Sequence, residues 1–145
     1  MPQVVRSMVI KAPPSAVWRW FTSQEGLRRW LSPNITVDLR VGGAYRFQGP
    51  DDATWISGVV LEIVPEAELV LSWLEEGGRW LHPARLVVRL RATAAGTEVS
   101  LVHDGFAGIG KTDWAGTVQA YERGADRHKV LEALAELVNA DAAVA

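Results

Sequence analysis

DWAGTVQAYERGADRHKVLEALAELV, residues Asp113 to Val138, is the stretch on which the reading of the fold turns. Trp114, Val118, Tyr121, Leu131, Leu134 and Val138 recur at spacings of three, four and their sums. That predicts one long terminal helix whose apolar stripe can cross a sheet. Beside the stripe runs a row of small residues, Gly116, Ala120 and Gly124. An interior glycine costs a helix about 1 kcal/mol relative to alanine. Two of them call for close backbone approach to a sheet or for space beside the helix; plain tolerance of surface glycine is the alternative.

Working outward, Val4 to Lys11 is a strand candidate that ends at Ala12-Pro13-Pro14, where prolines fit the first turn of a helix. Val17, Trp20 and Phe21 share one helical face, and a second short helix at about Glu25 to Leu31 gathers Leu27, Trp30 and Leu31. From Ile35 to Asp104, short apolar runs are separated by Gly42-Gly43, Gly49-Pro50-Asp51-Asp52, Pro65-Glu66, Glu76-Gly77-Gly78 and Ala95-Gly96, which predicts an antiparallel meander. Leu86, Val88 and Leu90 alternate with Arg85, Arg89 and Arg91, so the arginines belong to a solvated outer face. Val99, Leu101 and His103 point inward on the next strand. Alternation does not decide between Trp55, Ser57, Val59, Leu61 and Ile56, Gly58, Val60.

The expected fold is therefore α+β: a curved antiparallel sheet packed on a long C-terminal helix, with two short helices after the first strand closing one end. Sheet and helix can bury their apolar faces only against each other. Bulky aromatic side chains at that contact leave room between the layers, and the room is the candidate site.

Composition bounds the function classes. With 145 residues, 48% of them hydrophobic, the chain fits a single domain, 1–145. A formal charge of -2 with interspersed signs does not point to nucleic acid or a membrane surface. There is no cysteine, so neither disulfides nor thiolate metal sites hold the fold. The first residues lack the apolar core of a signal peptide, and no apolar run approaches the roughly 20 residues of a membrane span. A cytoplasmic location is expected, with a homodimer possible.

Ala12-Pro13-Pro14-Ser15-Ala16-Val17-Trp18, Leu27-Arg28-Arg29-Trp30-Leu31, Val41-Gly42-Gly43-Ala44-Tyr45-Arg46-Phe47, Gly58-Val59-Val60-Leu61-Glu62-Ile63, Leu69-Val70-Leu71-Ser72-Trp73 and His103-Asp104-Gly105-Phe106 occur in that order. Together they resemble the START-like (SRPBCC) superfamily, and within it the activator of heat-shock-protein-90 ATPase homologue-like branch, over nearly the whole chain. The resemblance implies a helix-grip fold with an internal cavity used across the superfamily for lipids, hormones, polyketides and other apolar molecules. Positions matching Tyr45, Phe47, Trp73, His103 and Phe106 lie on or near that interior. It implies no fixed catalytic set.

One motif points elsewhere. Gly105-Phe106-Ala107-Gly108-Ile109-Gly110-Lys111-Thr112 fits the P-loop pattern between a predicted strand and a predicted helix. A P-loop nucleotidase needs further parallel strands and an acidic metal-holding residue after that helix, and only the helix remains. A chance match is the reading adopted, with incidental anion binding at the helix start as the milder alternative.

His82, His103 and His128 show no metal-ligand spacing, and no metal or cofactor is expected. His103 either orients a polar ligand head, moves a proton, or is a core histidine satisfied by a neighbour. Tyr45 and Tyr121 pose the same choice. Asp51-Asp52 and Glu75-Glu76 read as solvated turns. Of seven tryptophans, some fill the core and others suit cavity walls.

The expected function is binding of an apolar or aromatic small molecule, with Trp30, Tyr45, Phe47, Trp55, Trp73 and Trp114 as walls, Val118 and Tyr121 on the helix side, and His103 as polar anchor beside Phe106. The Gly105 to Thr112 loop is expected to form a mobile mouth. The alternatives are a polyketide cyclase or aromatase-like enzyme using the same cavity, or a chaperone-associated interaction module.

Overall fold

The computed structural model describes residues 3–144. Strand β1, Val4–Ile10, runs into the two prolines. Pro13 is extended, at φ -69 and ψ 158, and Pro14 opens helix α1, Pro14–Trp18, where a missing N–H costs nothing. Helix α2, Gln24–Trp30, starts at Ser23, whose hydroxyl accepts the Gly26 N–H at 2.9 Å, the usual N-cap arrangement. Val17, Trp20, Phe21, Leu27 and Trp30 are all buried. Trp30 meets Phe21 edge-on at 5.0 Å and donates its indole N–H to the Trp20 carbonyl at 2.8 Å. These two helices close one end of the sheet.

The meander follows as β2 (Thr36–Val37), β3 (Ala44–Gln48), β4 (Trp55–Val64), β5 (Glu68–Glu75), β6 (Ala84–Thr93) and β7 (Gly96–Asp104). With β1 it forms a 7-stranded antiparallel sheet in the order β1-β7-β6-β5-β4-β3-β2. The Gly-, Pro- and Asp-rich clusters fall between consecutive strands. Gly96 is one position where only glycine fits: φ is +141, and a Cβ would lie 2.1 Å from the Ile10 carbonyl oxygen of the passing strand.

Face assignment follows the pleat. Arg85, Arg89 and Arg91 lie outside, paired with Asp104, Glu68 and Glu98 on neighbouring strands. Val88, Leu90 and Val99 are buried in the core, while Leu86, Leu101 and His103 are half-buried on the same inner face. On β4 the inner set is Ile56, Gly58 and Val60, and Val59 and Leu61 are exposed. A register shift between Val60 and Glu62 then reverses parity, so that Glu62 stays outside opposite Val70 and Ile63 returns to the core. Before the bulge both faces of the strand carry apolar residues, which is why alternation from Trp55 to Leu61 is ambiguous.

The terminal stretch departs from the expected single helix. Helix α3, Trp114–His128, ends at Lys129, which is left-handed at φ 48 and ψ 52, and helix α4, Val130–Val144, continues beyond it. The stripe explains the break. Three or four residues past Ala125 the α3 face reaches His128 and Lys129, which are exposed, and the apolar face resumes, rotated, at Leu131. In α4, Leu131, Leu134 and Val138 are buried, against β1 and α2. None of the α3 residues is fully buried.

The Gly105 to Thr112 loop does not line the cavity mouth and is packed against the body of the fold. Phe106 and Ile109 are fully buried in and after a short 3-10 turn, Phe106–Gly108. The Ile109 carbonyl accepts the Leu81 N–H at 2.8 Å. The preceding strand, β7, has only antiparallel neighbours. Lys111 lies 3.9 Å from Asp113, two residues on in the same segment. Among the described residues no helix is long and apolar enough to cross a membrane.

Candidate functional site

Between the concave sheet and α3 lies a cavity of about 600 Å³. Alternation supplies its floor: Tyr45 and Phe47 from β3, Ile56 from β4, Leu69, Leu71 and Trp73 from β5, Leu86 and Val88 from β6, Leu101 and His103 from β7. Helix α2 adds Leu27 and Trp30, the turns flanking it add Phe21 and Leu31, and α3 supplies Ala120, Tyr121 and Gly124. The rim runs from the β3–β4 turn, Gly49 to Thr54, to the helix break at His128, Lys129 and Val130.

The small-residue row has a spatial counterpart here. Ala120 and Gly124 line the cavity, whereas Gly116 does not. A side chain at Gly124 would meet little, the nearest atom being His128 Cδ2 at 3.9 Å. Glycine at this position leaves space beside the helix and does not serve close packing.

Polar groups collect at one pole. The Trp73 indole N–H donates to the Tyr121 hydroxyl oxygen at 3.0 Å, and that hydroxyl donates to Glu75 Oε2, also at 3.0 Å. His103 stands edge-on to Trp73 at 4.3 Å and to Tyr121 at 5.3 Å. Its Nε2 is sealed from solvent and has no hydrogen-bond partner. Burial lowers the His103 pKa to about 4, only partly opposed by Asp104, so the ring is neutral at pH 7. Burial also raises the Tyr121 pKa, and the charges of Glu75 and Asp51 raise it further. Tyr45 is raised by burial too; it donates to the Ser72 carbonyl at 2.5 Å, lying opposite Gly58, whose missing side chain leaves the path to β5 open. Among the described residues no three His, Asp or Glu side chains gather to hold a metal.

The structure brings Trp30, Tyr45, Phe47, Trp73, His103 and Tyr121 together on the cavity wall. It does not bring Trp55, Phe106, Trp114 or Val118 there. Trp55 belongs to the outer face of β4, with the Arg46 guanidinium 4.0 Å above its ring. Phe106 is fully buried, edge-on to His103 and Trp80 and tilted against Tyr121. Trp114 and Val118 sit in the first turns of α3, half-buried against the core beyond the cavity's edge.

Glu75 and Asp51 were expected to be solvated turn residues, and both line the cavity. Glu75 ends β5 on the same face as Leu69, Leu71 and Trp73, so the parity of that strand carried the signal. Asp51 accepts the Ala53 and Thr54 N–H groups at 3.0 and 2.9 Å, which fixes the turn at the rim. The leucines of the wall were missed because no local pattern separates a cavity-lining leucine from a packed one.

Comparison with known proteins agrees with this architecture. Protein MLL2253 from Mesorhizobium loti superposes with a TM-score of 0.78 at 20% identity, over 94% of this chain and 96% of that one. DynU16, a putative protein in the dynemicin biosynthetic locus, gives a TM-score of 0.76 at 16% identity, over 96% of this chain and 48% of that one. The Aha1 dimer from Colwellia psychrerythraea gives 0.63 at 18% identity, over 89% and 99%. Identities this low speak for the fold alone. No curated protein matches the chain. The family described as Activator of Hsp90 ATPase homolog 1-like protein matches residues 11–137. With its helix-grip arrangement of curved antiparallel sheet and bent C-terminal helix, the chain belongs to the Activator of Hsp90 ATPase homolog 1-like family, a branch of the START-like superfamily.

Proposed function

We propose that this chain binds an apolar or aromatic small molecule between its sheet and α3. The observation that carries the reading is the cavity itself: about 600 Å³, walled mainly by apolar and aromatic side chains, with one hydrogen-bonded polar cluster at Trp73, Tyr121 and Glu75 and further charged groups at the rim. Small-molecule sites have this make-up and a volume of roughly 300–1,000 Å³. Trp30, Tyr45, Phe47 and Trp73 serve as walls, Tyr121 as the helix-side contact and His103 as a neutral polar contact. The test is titration with the neutral fluorophore N-phenyl-1-naphthylamine, alongside native mass spectrometry of gently purified protein. Saturable one-to-one binding that is lost in Gly124→Trp, which fills the cavity edge, is expected. No saturable binding by the native chain removes the reading.

A second reading, an enzyme of the polyketide cyclase or aromatase kind, is favoured by the juxtaposition of His103, Tyr121 and Glu75 in one cavity. DynU16, from a biosynthetic locus, shares the fold. This reading expects turnover of a poly-ketone chain that drops sharply in His103→Phe; undiminished turnover excludes the role of His103. The fold shared with the Aha1 dimer supports a homodimer, which sedimentation equilibrium tests directly. A cytoplasmic location is proposed with it.

A further inference from the structure

We propose that the cavity selects a cationic ligand, an apolar or aromatic body bearing a protonated amine, seated with its ammonium group against Glu75 and the rings of Trp73 and Tyr121. This rests on the small-molecule reading above and adds the head group.

The reasoning starts from what hydrogen-bonding capacity the pole has left. Tyr121 donates its only O–H to Glu75, and the Trp73 N–H is taken up by Tyr121. Tyr45 donates its own O–H to Ser72. The hydroxyl and indole donors are engaged, and beside the neutral His103 ring, whose Nε2 is unpaired, what remains is acceptor capacity: the second oxygen of Glu75 and the negative charge of a half-buried carboxylate.

That charge is uncompensated. Among the described residues no lysine, arginine or histidine nitrogen lies within 4.0 Å of Glu75. The nearby Arg46 is turned outward, bidentate to Glu76 at 2.8 and 3.0 Å and stacked on Trp55. Asp51 contributes a second carboxylate from the rim, and its field and that of Glu75 both act on the Tyr121 hydroxyl.

The cations around the cavity do not offset this. Arg6 is held by two carboxylates, Glu122 at 3.1 Å and Asp126 at 2.8 Å. Lys129 is exposed to solvent at the helix break, where its charge is screened. His103 shares the pole but is neutral and has its Nε2 unpaired.

An anionic head group seated beside Glu75 meets like charge, while Lys129 stands away at the exposed helix break. A hydroxyl finds the Glu75 oxygen and the His103 ring but brings no charge to the carboxylate. An ammonium group gains a charge-assisted hydrogen bond to Glu75 and the attraction of the Trp73 and Tyr121 ring faces.

The test uses three probes with one body: 4-phenylbutylamine, 4-phenylbutan-1-ol and 4-phenylbutanoate, measured by isothermal titration at pH 7 against the native chain and Glu75→Gln. The amine is expected to bind about tenfold or more tighter than the alcohol, with the carboxylate weakest. In Glu75→Gln the amine-to-alcohol ratio should fall to within about twofold, since a charge-assisted bond is replaced by a neutral one. An alcohol or carboxylate that binds the native chain as tightly as the amine, or a ratio unmoved by Glu75→Gln, overturns the cationic preference and leaves the small-molecule reading standing. Failure of all three probes to bind removes both.

Discussion

Trp73 on β5 and Tyr121 on α3 are joined across the cavity by a 3.0 Å hydrogen bond from indole N–H to phenol oxygen, with their rings edge-on at 6.2 Å. Helix α3 has no fully buried residue; this polar tie, continued to Glu75, pins it over the hollow together with the Arg6 ion pairs to Glu122 and Asp126 and the packing of Trp114, Val118 and Ala125 on the core.

Removing the pin without changing the ring's shape tests that view. Tyr121→Phe leaves the Trp73 N–H and the half-buried Glu75 without a shared partner, and should cost about 1–2 kcal/mol in urea unfolding. Amide exchange should quicken in α3 and not in α4. Equal acceleration in both helices would mean that they open as one unit.

Gly124 on the helix and Gly58 in the sheet should respond oppositely to an added methyl group. Gly124→Ala adds a Cβ with only His128 Cδ2 at 3.9 Å nearby and relieves helix entropy, so a gain of about 0.5–1 kcal/mol is expected. Gly58→Ala places a Cβ 2.2 Å from the Ser72 carbonyl oxygen and should destabilise by about 1–3 kcal/mol through overpacking. Thermal melting of the two variants decides the matter.

His103 predicts a pH dependence. Its folded pKa is about 4 against 6.5 unperturbed, with burial the main cause. Between those values the unfolded chain binds a proton that the folded chain refuses, so stability is full above pH 6.5 and falls as pH drops toward 4. The loss can reach about 3 kcal/mol. Asp104, Asp51 and Glu76 are held below the usual carboxylate range by Arg85, Thr54 and Arg46 respectively, so their losses come at lower pH. Urea melts at pH 7 and pH 4.5 should show a smaller drop for His103→Leu than for the native chain; parallel drops would assign the acid sensitivity elsewhere.

The loop that spells a P-loop should not behave as one. With Phe106 and Ile109 buried, titration with ATP and magnesium is expected to show no saturable binding, and Lys111→Ala to change nothing. Binding that Lys111→Ala abolishes would reinstate the motif.

Several parts of the site were legible because they depend on local pattern. Inward placement of Val99, Leu101 and His103 followed from alternation, as did the outward arginines, whose partners on adjacent strands the sequence did not name. The Ala120 and Gly124 row marked the space beside α3. Trp55 shows the limit: an aromatic residue in a strand that is apolar on both faces has no parity signal, and a bulge further along removes what remains. Glu75 was hidden by its neighbour Glu76, since the pair read as a turn although only Glu76 lies past the end of the strand.

What the sequence determined by itself was the order of elements, their turns and most faces, because hydrophobic period, prolines and glycines act within a few residues of where they stand. Tertiary structure alone decided the outward turn of Trp55, the anchoring of the Gly105 loop and the meeting of Trp73, His103, Tyr121 and Glu75. Those depend on contacts between residues far apart in the chain. A side chain's burial, charge state and free hydrogen-bonding capacity are set by what the rest of the fold places against it.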